Sequence, residues 1–107
     1  MRTYRLDAMQ GGWFVGGFSP TALQTTACEV AIKTYGAGEH EPKHHHKIAD
    51  ELTVILTGRV RMNERFFEAG DIVHLAPGES VEFHAIEPTT TVVVKLPSMP
   101  GDKYIDS

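Results

Sequence analysis

His44 and His46, one residue apart, and Glu51 five residues further on are the side chains of this chain best placed to do chemistry. In an extended strand alternate side chains share a face, so the two imidazoles point the same way. Two imidazoles and a carboxylate converging on one spot make a ligand set for Fe, Mn, Ni, Cu or Zn. The plainer alternative is a solvated His44-His45-His46 loop, with Glu51 as a surface charge. The glycines around these residues favour the first reading. Gly38 stands six residues before His44 and Gly58 seven after Glu51, where turns need conformations that other residues resist.

The elements that must carry these groups read as strands. Short β-branched or aromatic runs recur at 13–18, 28–35, 51–57, 59–62, 65–69, 71–75, 81–86 and 89–96. Between them lie turn residues: Gly36, Gly38, Pro42, Gly58, Asn63-Glu64, Gly70, Pro77-Gly78 and Glu87-Pro88. Many short strands at regular spacing indicate a β-sandwich or barrel. Residues 61–66 read as a tight hairpin, with Asn63 tolerating positive φ. No segment keeps a helical period over three turns, and 6–10 or 19–24 offers at most a single turn. A barrel of this size holds either a small ligand or a packed core. The His pair and Glu51 would project inward at one end, in a mostly apolar pocket lined by Ile55, Val73, Leu75, Val81 and Phe83.

The spacing G-x5-H-x-H-x4-E-x6-G over Gly38–Gly58 resembles the first signature motif of the cupin superfamily at every fixed position. Gly70-DIVHLA-Pro77-Gly78 is similar to the start of the second cupin motif, with Ala76 where proline is frequent. The resemblance implies an all-β, cupin-type double-stranded β-helix, a jelly-roll barrel, of the small single-domain kind. It also implies a homodimer and a metal sphere of three histidines and one glutamate. The last of those histidines would fall at position 81, which is Val81. Three other histidines come into question for the fourth place, with His84 ranked before His74 and His40. Strict alternation turns His84 to the face opposite Val81, so it reaches the site only through a bulge. Without it, His44, His46 and Glu51 still have the composition of a facial triad with positions open to substrate.

At 107 residues the chain reads as one domain, with a barrel core of about 26–97, an N-terminal arm 1–25 and a C-terminal tail 98–107. A net charge of −4 and the lack of a dense basic stripe argue against nucleic acid as a partner. No apolar run is long enough to span a bilayer, and the N-terminus shows no signal-peptide h-region. Cys28, the single cysteine, excludes an intrachain disulfide and suits a cytoplasmic location, where it reads as an inert thiol. The aromatics of Trp13–Phe18 are expected on the outer sheet face or across a dimer interface rather than at a ligand mouth. The tail is expected as an extended arm, frayed or lying on a partner.

Two functional readings follow. One is an enzyme, a dioxygenase or an isomerase, that uses a divalent Fe, Mn, Ni or Zn ion on a small organic substrate. The other is a non-catalytic module that binds a sugar or a carboxylate, with no metal or a structural one. Nothing in the sequence identifies a catalytic acid or base. Tyr4, Tyr35 and Tyr104 are available for such a role, but no spacing singles one out.

Overall fold

Alternation of inward and outward side chains along β-branched strands builds the molecule, a computed structural model that describes residues 1–106. Eleven strands are formed: β1 (Trp13–Gly16), β2 (Leu23–Gln24), β3 (Glu29–Tyr35), β4 (His40–His45), β5 (Asp50–Thr57), β6 (Arg59–Met62), β7 (Arg65–Glu68), β8 (Ile72–Leu75), β9 (Val81–Ala85), β10 (Thr89–Leu96) and β11 (Tyr104–Ile105). They form two sheets, one in the order β2-β1-β3-β10-β5-β8 and the other β11-β4-β9-β6-β7. Apart from the short parallel β1–β2 contact, every pairing is antiparallel. This is the expected all-β, cupin-type jelly roll. Its helical content is two single 3-10 turns, Leu6–Ala8 and Gln10–Gly12.

Strand β10 shows how sequence becomes packing. In Thr89–Leu96, Thr89, Thr91, Val93 and Lys95 are buried, while Thr90, Val92, Val94 and Leu96 face outward. Its register with β3 and β5 carries that alternation across the large sheet. Two turns fix the frame. Asn63 takes φ 54° in the β6–β7 hairpin, and its side chain bonds the Glu82 amide and the Ser80 carbonyl, which ties the hairpin to β9. Gly58 takes φ 92°, and a Cβ there would lie 2.4 Å from the Pro88 carbonyl oxygen. Only glycine lets the β5–β6 turn lie against the start of β10.

Ile55, Val60, Met62, Leu75, Val81, Phe83 and Ala85 close one end of the barrel as a buried apolar cluster, with Tyr35, Phe67 and Val73 packed against it. The tail departs from the expectation of an arm frayed or lying on a partner. β11 pairs with β4, and Asp102 is buried beneath the turn that follows it. His40, the third-ranked candidate, opens β4. Among the described residues no helix is long and apolar enough to cross a membrane.

Candidate functional site

The other end of the barrel interior is an open cavity of about 260 Å³, and His44, His46 and Glu51 all line it. His44 ends the inward run of β4, where Glu41 also faces the cavity. Glu41 and His44 are three residues apart, so strict alternation would turn them to opposite faces. A register irregularity between them, in the pairing with β9, lets both face inward. His46 follows just beyond the strand. The turn from His46 to Glu51 is set by Asp102, whose carboxylate accepts the amide hydrogens of Lys47 (2.9 Å), Ile48 (3.1 Å) and Ala49 (2.9 Å). Burial works to raise the pKa of Asp102, but those three amides outweigh it and hold the carboxyl below the usual aspartate range. His45, between the two inward histidines, points out and meets Asp106 at 2.7 Å, with its ring stacked on Tyr104.

Local bonds set the chemical state of each donor. His44 Nδ1 lies 2.9 Å from the Pro42 carbonyl, which can only accept, so Nδ1 carries a proton and Nε2 is the nitrogen left for a ligand. Burial, with Lys95 and His44 as nearby cations, lowers the pKa of His46 from 6.5 to about 4, which leaves its imidazole neutral at pH 7. Burial pushes Glu51 up, against the pull of Lys95 and His44 and a 3.2 Å bond from Thr53 Oγ1. The His44 and His46 ring centres are 5.6 Å apart, and His46 Nδ1 lies 3.9 Å from Glu51 Oε1. These three are the residues that could hold a metal. Among the described residues, however, no three His, Cys, Asp or Glu side chains are already drawn together as a metal cluster.

The cavity wall differs from the apolar lining expected. Val81 and Phe83 do line it, but Ile55 and Leu75 are core residues at the closed end and Val73 packs against them. In place of these three stand Glu29, Lys33, Tyr35, Thr53, Lys95 and Lys103. On the inner face of a large sheet, cross-strand neighbours fall into rows. The register places Glu29, Lys95 and Glu51 side by side on β3, β10 and β5. Burial works to raise Glu41, but the charge and 3.2 Å bond of Lys33, together with Lys103 and His44, outweigh it and keep the carboxyl below the usual glutamate range. Burial, followed by the Glu41 carboxylate, drives the Tyr35 phenol far up, so Tyr35 stays a neutral donor. The period-two pattern from Glu29 to Tyr35 could have shown that Glu29, Lys33 and Tyr35 share a face.

The three histidines weighed for a fourth position stand elsewhere. His84 follows inward-facing Phe83, so parity turns it out of the cavity, and it stacks on His40 across the sheet at 6.2 Å. The bulge that would have brought it inward lies in β4 instead. His74, on the edge strand β8, bonds Asp50 at 2.8 Å in solvent. Trp13 and Phe18, expected on the outer face or in an interface, form part of the cavity wall.

No family model matches the sequence, and no curated protein matches it. Solved structures do match in shape. An uncharacterized conserved protein with a double-stranded beta-helix domain from Klebsiella pneumoniae aligns over 97% of this chain and 90% of its own, with a TM-score of 0.73 and 20% identity. The DMSP lyase DddQ from Ruegeria pomeroyi aligns over 87% of this chain at TM-score 0.72 and 18% identity. This chain spans only 49% of that lyase. A cupin protein from Bacteroides fragilis aligns over 75% of this chain and 74% of its own, at TM-score 0.60 and 25% identity. With the intact first motif and the two-sheet barrel, these likenesses show that the chain has the fold of a small cupin domain.

Proposed function

We propose that this cavity holds a divalent transition metal on His44, His46 and Glu51 and acts on a small organic molecule, as an oxygenase or isomerase. The carrying observation is that all three side chains line one cavity. His44 offers Nε2 because Pro42 fixes its tautomer, and His46 is neutral at pH 7. Thr53 engages Glu51 Oε2 and leaves Oε1 turned toward His46. By donor type the residues fit Fe, Mn, Ni or Zn. A bound ion would supply Lewis acidity and a template for the substrate. The chain itself supplies Tyr35 as a neutral hydrogen-bond donor, and Trp13, Phe18, Val81 and Phe83 as apolar parts of the wall.

Metal analysis of untagged protein tests this. Wild type, incubated with Fe, Mn, Ni and Zn in turn, should carry one of them, and His46→Ala should lose it. A wild type that binds none removes the mechanism. One observation favours the second reading, a non-catalytic module that binds a sugar or carboxylate. Val81 occupies the place of the last cupin ligand and lines the cavity as hydrocarbon.

We also propose a homodimer through the outer face of the large sheet. Val30 and Ile32, Val92 and Val94, and Leu52 and Val54 lie in register there, half-buried, with Ile72 exposed at 66% beside them. Such a face is self-complementary across a two-fold axis. Light scattering should show a dimer that Val92→Lys converts to a monomer; a monomeric wild type removes this proposal.

A further inference from the structure

Two members of the charged row on the inner sheet face, Glu29 and Lys95, have no part in the ligand set. Lys95 is 9% exposed and lines the cavity beside His44, His46 and Glu51. Its ammonium stands 3.5 Å from Glu29 Oε1 and 5.2 Å from the centre of the Trp13 ring. Glu29 is held from behind, since Ser98 Oγ donates to its Oε2 at 2.8 Å and the Gly17 amide donates to Ser98 Oγ at 2.9 Å. An ammonium carries three N–H donors. A 3.5 Å contact is at the long limit of hydrogen bonding, and a ring face offers only its quadrupole. Lys33, by contrast, closes on Glu41 at 3.2 Å. Lys95 therefore keeps donor capacity that only the cavity can satisfy.

We propose that Lys95 anchors the carboxylate of a small organic acid bound in this cavity, with Trp13 and Phe18 as the wall against which its carbon skeleton lies. This deepens the reading above and rests on it only for the identity of the cavity as the ligand site. A carboxylate makes short, charge-assisted bonds to an ammonium, whereas a neutral ligand of the same size leaves the donors under-used. The volume of about 260 Å³ suits a small organic acid. Position in the row matters as well. Lys95 is next to Glu51, so an acid bound at its ammonium lies within reach of the proposed ligand set without displacing any of it.

The test is calorimetric titration of the protein as purified, with its metal content measured in parallel. Oxalate, succinate and galacturonate are each compared with a neutral partner: oxamide, succinamide and galactose. At least one acid should bind about tenfold more tightly than its partner. Lys95→Met should abolish that preference while leaving the metal content unchanged, and His46→Ala should lose metal yet keep the preference. Because Lys95→Met leaves Glu29 buried without its cation, the double variant Glu29→Gln with Lys95→Met serves where the single one fails to fold. The proposal is overturned if no acid binds more tightly than its partner, or if the double variant discriminates as wild type does. Loss of metal binding alone would sink only the earlier reading.

Discussion

The two ends of this barrel are built from the same strands and filled with opposite chemistry. Strand β5 sends Ile55 into the closed end and Glu51 and Thr53 into the open one. At the closed end hydrocarbon meets hydrocarbon, and Ile55, Val60 and Ala85 are fully buried. At the open end ionisable groups sit in partial enclosure, where burial is costly unless each charge has a partner. Glu29 with Lys95 and Glu41 with Lys33 meet that condition. Glu51 meets it least well, and its raised pKa is the sign. One end holds the fold together, and the other keeps under-satisfied groups facing a space that a ligand can fill.

Four measurements would break or sharpen that contrast. Ile55→Ala removes packing at the closed end and should cost about 4 kcal/mol, read by urea denaturation. A loss no larger than that of an exposed position would mean the closed end is not the stabilising one. Asp102→Ala leaves three backbone amides without their acceptor and should cost about 3 kcal/mol. It should also weaken whatever the cavity binds, because the 47–49 turn spaces His46 from Glu51; stability lost with binding intact would separate the turn from the site.

The pH response should belong to the open end. His46 takes a proton near 6.5 in the unfolded chain and near 4 in the folded one. Between those values the unfolded chain holds more protons, so in chelator-treated protein stability is complete above about 6.5 and falls as pH drops toward 4. Thermal melts across that range should show the slope, and His46→Gln should flatten it. The smallest effect is a gain. Thr91 Oγ1 is buried with no hydrogen-bond partner among the described residues, so Thr91→Val should stabilise by about 1 kcal/mol.

Much of the fold was legible because short-range chemistry dictates it. The Asn63 hairpin, the glycine turns and the alternating strands all follow from local preference, and the ranges read from sequence match β5 to β10 within a residue or two. His44, His46 and Glu51 were legible as a set through their spacing, and the structure brings them to one cavity. The rest depended on long-range register. Glu29, Lys95 and Glu51 become neighbours only when three strands far apart in sequence pair at one level. Strand β4, with its proline, lysine and three histidines, lacks the β-branched run that marks a strand, and it forms because β9 and β11 flank it. Equally, nothing in the sequence of the tail announced that Asp102 would become the acceptor for a turn 53 to 55 positions earlier.

That last link reaches into biosynthesis. The turn that spaces the paired imidazoles from their carboxylate is braced by a residue made more than fifty codons later. Strand β10, which joins β3 to β5, ends only six positions before Asp102, so the barrel and its pocket are completed together. Only when the segment around Asp102 leaves the ribosome is the geometry complete, so premature capture of ligand by a half-made chain is disfavoured.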